Sequence, residues 1–300
     1  MRCTHPLYAW RKADAGVGIY KQDDPRKLQG FPLPCGRCIE CKLERTRQWA
    51  VRITHEQQLH EQSYFVTLTY KTDPRTLIKQ DFQRFMKRLR AKHGCWDPTI
   101  GQHVPRYFMC GEYGEKKDRP HYHMAVFGIT IPDLVIYSET KGNKLYTSKT
   151  IDEIWTHGEC KIGALTFESA SYVAAYCTKK ITGKDAGEHY TRCDPETGEI
   201  YGLEPEYAHM SLKPGIGALW IEKYTNDVFN YDHVVINGRE QKTPRYYDKY
   251  LEQTNPERLE AIKKKRKLKA INTEGENTPA RLKVREQVTK ARYKLKKRTI

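Results

Sequence analysis

The stretch RYFMCGEYGEKKDRPHYHMAVFG, residues 106–128, restricts the folds open to this chain more than any other. Arg106 to Gly111 and His121 to Gly128 are rich in aromatic and apolar residues, and a charged turn joins them. They read as a β-hairpin with Pro120 at the strand mouth. Side chains two apart on a strand share a face, with Cα atoms roughly 7 Å apart, so His121 and His123 point one way and Tyr122 the other. Two imidazoles on one face form a metal clamp, and Glu112 on the neighbouring strand adds a carboxylate if the register cooperates. A His, His, Glu set favours a hard or borderline divalent ion. A histidine pair in a strand is also often only a polar face, so the pair alone defines nothing.

About fifty residues later, ASYVAAYCTKK has no Gly or Pro and reads as a helix, with Tyr172, Tyr176 and Lys180 at i, i+4 and i+8 on one face. Two phenols one turn apart are equally compatible with packing. Upstream, SYFVTLTY (63–70) has the composition of a central strand, with Thr67 and Thr69 on one face and Asp73-Pro74 ending it. KQDFQRFMKRLRAKHG is an amphipathic helix with Phe82, Phe85, Met86 and Leu89 inward and Gly94 as its stop. Strand, helix, strand, strand is the order of a split βαβ sheet. Residues 131–166 look like an insertion, with breakers at Pro132, Gly142 and Asn143, a short helix near Asp152–Trp155 and a strand from Glu159 to Leu165. His157 and Cys160 there have no partners at ligand spacing and read as structural.

Cys35, Cys38 and Cys41 repeat as C-x2-C-x2-C, and Cys3 can complete a tetrahedral four-cysteine zinc site. An iron-sulfur cluster is the competing occupant, and free thiols opening the next helix are the plain alternative. That helix is expected from Cys41 to Gln62, with Trp49 buried and Arg45, Arg47 and Arg52 exposed. Nine cysteines without a secretion signal argue for thiols or metal ligands and against a disulfide frame.

The order FVTLTY, then GEYG with RPHYH, then YVAAY followed by lysines, resembles the HUH endonucleases that start rolling-circle replication. More narrowly, it is similar to the replication initiators of small single-stranded DNA phages, the microviruses and especially the gokushovirus branch. With the N-terminal cysteines, KPGIGALWIEKY and PRYYDKYL, the likeness runs to about Leu251. The resemblance implies an α+β, HUH/RRM-like antiparallel sheet with helices packed on one face, a Cys-rich N-terminal module and a basic C-terminal extension. It implies Mg²⁺ or Mn²⁺ on His121, His123 and Glu112, nucleophilic Tyr172 and Tyr176, and Lys180 or Lys179 in charge neutralisation or proton transfer. It also implies nicking and rejoining of single-stranded origin DNA through a 5′-phosphotyrosine, with host helicase and polymerase as partners in the bacterial cytoplasm. A relaxase or transposase of the same chemistry is an alternative, though no helicase P-loop motif is present. A non-catalytic, zinc-containing single-strand binding protein is another.

The net charge of +16 points to a polyanionic partner. From Leu251 onward there are 16 Lys and Arg against 6 Asp and Glu, densest at KKKRKLK, where Lys263, Lys264, Lys265 and Arg266 are candidates for phosphate contact. That tail is expected either as helices broken at Asn272–Pro279 or as a disordered segment that orders on nucleic acid. Arg119, Lys213, Trp220 and Arg245 are further DNA-binding candidates, Lys213 and Trp220 beside the glycines of MSLKPGIGALW and Arg245 beside two tyrosines. The stretch from Ile181 to Tyr207 reads as polar loop, and Asn237-Gly238 as a hairpin turn. No run of about 18 apolar residues exists, so no membrane span is expected. The chain is thereby divided into a Cys-rich module and helix (1–62), a nicking core (63–182), a loop and hairpin region completing a DNA surface (183–250) and a basic tail (251–300).

Overall fold

The computed structural model describes residues 3–12, 16–21, 24–98, 100–114, 118–140, 142–176, 179–181, 183, 186–272 and 274–295. The chain forms two compact units, one of residues 46–254 and one built from both chain ends, 1–45 with 255–299. The ends, expected from the sequence as two separate appendages, thus fall together. Helix α1 (Ile39–Gln57) runs from one unit into the other.

In the larger unit the elements follow as β1 (Ser63–Thr69), α2 (Lys79–His93), β2 (Arg106–Tyr113), β3 (Pro120–Phe127), β4 (Val135–Thr140), β5 (Asn143–Thr147), α3 (Lys149–Trp155), β6 (Cys160–Ala164), α4 (Phe167–Tyr176), β7 (Tyr207–Met210), α5 (Ala218–Tyr231) and α6 (Arg245–Thr254). The strands form one seven-stranded sheet in the order β7-β2-β3-β1-β6-β5-β4, and every pairing is antiparallel. The hairpin of β2 and β3 is longer than the sequence suggested, and its charged turn, residues 115–117, lies outside the described residues. The supposed insertion is instead the β4–β5 edge of the sheet. The supposed polar loop ends in β7, which closes the other edge.

Helices cover both faces, which corrects the expectation of a single covered face. Val66, Leu68, Tyr107, Met109, Tyr122, Met124 and Val126 form one layer with Phe82, Phe85, Met86 and Leu89 of α2 and Ile151, Ile154 and Trp155 of α3. Phe65, Phe108, Cys110, Ala125 and Phe127 form the other with Ala50 and Ile53 of α1 and Ala170, Val173 and Tyr176 of α4. Strand alternation makes this necessary: β1 to β3 are apolar on both sides, so a sheet covered once would expose a row of aromatics. Tyr122, between the two histidines, serves the far layer. Its hydroxyl donates to the carbonyl of Ile78 at 2.8 Å and accepts from the Ile78 N–H at 3.0 Å, fixing the start of α2, which has no side-chain cap of its own.

In the smaller unit, a three-stranded sheet centres Leu7–Arg11 between Val17–Ile19 and Phe31–Leu33. Helices α7 (Pro256–Ile271) and α8 (Pro279–Leu295) are separated by a 3-10 turn at Glu274–Asn277, the break expected from the sequence. Asn255 caps α7, accepting from the Arg258 N–H at 3.0 Å.

Candidate metal centre and tyrosine helix

Register puts the metal candidates on one face. Thr69 and Glu112 both pair with His121, and Thr67 and Cys110 both pair with His123. Residues directly opposite on antiparallel strands share a face, so Glu112, His121 and His123 converge. Glu112 Oε1 lies 2.9 Å from His121 Nε2 and 3.0 Å from His123 Nε2, with Glu112 only 2% exposed.

The outer ring nitrogens are also engaged. His121 Nδ1 is 3.1 Å from the carbonyl of Arg119, and a carbonyl only accepts, so Nδ1 carries the proton. With Nδ1 protonated, Nε2 donates to Glu112 Oε1 only in the imidazolium form, and in the neutral form it offers the lone pair that a metal takes. His123 Nδ1 is 2.9 Å from Thr67 Oγ1, a hydroxyl able to donate or accept. Burial alone would raise Glu112, but hydrogen bonds to His121 and His123 bring it down to about 2. Burial keeps the His123 imidazole below its usual value despite the neighbouring carboxylate. An ionised carboxylate and a neutral imidazole are the forms that bind metal. The three ligand atoms lie within 4.8 Å of one another, so the set fits a divalent ion.

Helix α4 lies over this face. Thr166 and Ser169 cap it reciprocally, the Thr166 N–H donating to Ser169 Oγ at 2.8 Å and the Ser169 N–H to Thr166 Oγ1 at 3.2 Å. Ala170, Val173 and Ala174 are buried, and their small side chains let the helix approach the sheet closely. The ring of Tyr172 meets that of His123 edge-on at 5.1 Å, and the ring of Tyr176 stacks on it at 5.3 Å. Burial, then the Glu112 charge beside it, raises the Tyr176 phenol. Helix α4 is described as far as Tyr176. Cys177 and Thr178 lie outside the described residues, and Lys180 is exposed. Of the two lysines, Lys179 has its Nζ 3.1 Å from Glu112 Oε2 and 4.1 Å above the Tyr176 ring.

A groove of about 1170 Å³ opens beside His121, its walls including Lys71, Thr72, Arg119 and His157. Lys71 and Thr72 carry no sequence signal, since nothing marks a loop after a strand as a groove wall. His157, expected to be structural, does pack on Trp155 at 5.0 Å and pair with Asp81 at 3.6 Å.

The other DNA-binding candidates sit on separate elements. Arg119 donates to the carbonyls of Tyr70 and Lys71 at 2.7 and 3.2 Å. Lys213 and Arg245 are exposed. One face of Trp220 stacks on His55 at 3.4 Å, and its indole N–H donates to Gln58 Oε1 at 2.7 Å. The close approach expected at the glycines is real, but it is to protein: a Cβ on Gly217 would lie 2.8 Å from Tyr247 Oη. Tyr247, expected in an aromatic groove, is fully buried and meets His55 Nδ1 at 2.8 Å. Arg52, expected in solvent, lies between Trp49 and Tyr246 at 4.0 and 3.8 Å, and burial lowers it to about 10. Lys263, Lys264 and Lys265 are exposed on α7, and Arg266 is half-buried.

Cys3, Cys35, Cys38 and Cys41 bring their sulfurs within 4.8 Å of one another in the smaller unit. Burial raises Cys3 and Cys41. Burial would also raise Cys38, but hydrogen bonds from Thr4 and Cys41 bring it down to about 6. The eight described cysteines are all free of disulfides. No helix among the described residues is long and apolar enough to cross a membrane.

An antiparallel α+β core carrying a carboxylate and imidazole donor set beneath a two-tyrosine helix defines the class to which the chain is compared. Residues 63–181 match a family model for replication-associated proteins of the ORF2 kind. The chain is 34% identical to the replication-associated protein VP4 of Bdellovibrio phage phiMH2K over 278 residues, 90% of this chain and 83% of that protein. It is 31% identical to the replication-associated protein ORF2 of Spiroplasma virus 4 over 257 residues, 80% of this chain and 75% of that protein. The chain belongs to this family, the rolling-circle replication initiators of microvirus-like phages. No solved structure matches it.

Proposed function

We propose that the chain nicks single-stranded DNA at a phage replication origin and later rejoins it, with Tyr172 and Tyr176 as nucleophiles. The observation that carries this reading is the contact of both phenol rings with His123, one of the three residues of the donor set. Mg²⁺ or Mn²⁺ suits Glu112, His121 and His123, whereas the four thiols of the other cluster suit zinc. A divalent ion at the first set supplies charge withdrawal and orientation at the scissile phosphate.

The protein's own groups account for the rest. A tyrosine oxygen forms a bond to phosphorus as its phenolic proton leaves, and the bond from phosphorus to the 3′-oxygen breaks. The phenolic proton passes to solvent and the departing 3′-oxygen takes one up, so the products are a 5′-phosphotyrosine and a free 3′-OH. A phenol raised by burial and by the Glu112 charge is a poor nucleophile, and the Lys179 ammonium beside both groups offsets the developing negative charge. Thr67 and the Arg119 carbonyl hold the imidazoles in place. The groove beside His121 offers the strand a path, with Lys71 and Arg119 toward its phosphates. Two tyrosines on one helix allow one to hold the 5′ end while the other cuts the regenerated origin. The phosphodiester energy is stored in the adduct, so rejoining by the 3′-OH needs no ATP. Host helicase and polymerase would extend the free 3′ end in the cytoplasm of the infected bacterium.

The test is covalent trapping of a labelled origin oligonucleotide with Mn²⁺ on denaturing gels. Tyr172→Phe or Tyr176→Phe alone should reduce the adduct and the double change should abolish it. An adduct surviving in the double variant would assign the nucleophile elsewhere.

A further inference from the structure

We propose that the four-cysteine site is a structural zinc staple for the unit of residues 1–45 and 255–299, and that this unit grips the DNA phosphate backbone. The inference rests on reading the thiol cluster as a zinc site, and it is independent of the nicking chemistry.

The sulfur geometry comes first. Cys3 Sγ and Cys38 Sγ are 3.8 Å apart. Four sulfurs placed tetrahedrally about 2.3 Å from a zinc ion lie about 3.8 Å from one another. Backbone N–H groups point at the sulfurs: Cys35 N is 3.3 Å from Cys3 Sγ, and Arg37 N and Cys38 N are 3.4 and 3.3 Å from Cys35 Sγ. Such donors favour thiolates, the ligand form.

The unit also needs a staple. Its buried apolar side chains among the described residues are Cys3, Ala9, Leu259, Ile262 and Leu282, while Trp10, Val17, Ile19, Leu268 and Ile271 are exposed. So small a core supplies little stability, and small units of this kind rely on metals or cross-links. Helix α8 is anchored beside the cysteines: Thr289 Oγ1 donates to Glu40 Oε1 at 2.6 Å, next to Cys41, and His5 Nε2 lies 2.8 Å from Glu286 Oε2, two residues from Cys3. An ion that fixes Cys3 against Cys35, Cys38 and Cys41 fixes both anchor points of a basic helix.

Charge then says what the unit is for. Residues 1–45 and 255–299 hold 25 Lys and Arg against 10 Asp and Glu, a net +15, whereas the rest of the chain holds 28 against 27, a net +1. The unit carrying the nicking residues is close to neutral. Nearly the whole electrostatic attraction for a polyanion resides in the cysteine-stapled unit, with Lys263, Lys264, Lys265, Lys267 and Lys269 exposed along α7. Phosphate neutralisation by such side chains gives binding that is insensitive to base sequence and steeply salt-dependent.

Two measurements on the full chain decide the proposal, and neither reads strand cutting. Metal analysis should find about one zinc per chain that survives His121→Ala but is lost in Cys35→Ser with Cys38→Ser, and that double variant should become protease-sensitive within residues 1–45 and 255–299. No zinc, or iron with a visible chromophore, overturns the staple. Binding of a mixed-sequence oligonucleotide titrated against salt should show a logarithmic slope shallower by about 2 when Lys263, Lys264 and Lys265 become Gln, at about 0.7 per lost contact. The same change at Lys87, Lys92 and Lys144 should leave the slope unaltered. Equal effects from the two triple variants, or none from the first, overturn the assignment of backbone binding to this unit. So does preferential binding to anionic lipid vesicles.

Discussion

The carboxylate of Glu112 is the group on which the metal centre turns. It touches both imidazole Nε2 atoms through one oxygen and Lys179 through the other, so its charge balances three groups at once. Glu112→Gln keeps the shape and removes the charge, and Mn²⁺ affinity measured by calorimetry should fall by more than the ~10–100-fold typical of outer-shell changes. An unchanged affinity would remove Glu112 from the ligand set. The convergence of these residues is legible in the sequence because strand alternation is rigid: once 106–128 is a hairpin, the face shared by His121 and His123 follows. Of Lys179 and Lys180, both named from the sequence, Lys179 is the one whose Nζ lies against Glu112.

At the scale of elements, the central strands and α2 are legible and the sheet edges are not. Strands β1 to β3 are buried on both faces and carry dense apolar patterns. The edge strand β4, by contrast, exposes Val135, Ile136 and Tyr137, and β7 is only four residues long. The packing of α1 against α5 and α6 is equally hidden, because nothing in the local pattern marks His55 and Tyr247 as buried or Arg52 as half-buried, and the partners that cover them lie far away in sequence. The turn before α5 makes that packing testable. Gly217 has φ +76°, its N–H donates to Glu56 Oε2 at 2.6 Å, and a Cβ would crowd Tyr247 Oη. Gly217→Ala should therefore cost about 1–3 kcal/mol in urea unfolding. A cost near zero would mean that the turn relaxes and that this junction is loosely packed.

Over the whole molecule, acid stability and DNA cleavage follow from different parts. Burial holds His55 down from 6.5 to about 3. Below pH 6.5 the unfolded chain takes up a proton that the folded chain refuses, so stability falls as pH falls from 6.5 towards 3, by up to roughly 5 kcal/mol. Urea midpoints measured across that range should show this slope, and His55→Gln should flatten it. The nicking account as a whole is tested most directly by incubating the full chain with circular single-stranded origin DNA and Mn²⁺, then asking what each end of the linear product carries. The account predicts protein bound to the 5′ end, blocking a 5′ exonuclease, and a free 3′-OH that a polymerase extends. Linear DNA with a free 5′ phosphate, protein on the 3′ end, or circles left intact would contradict it.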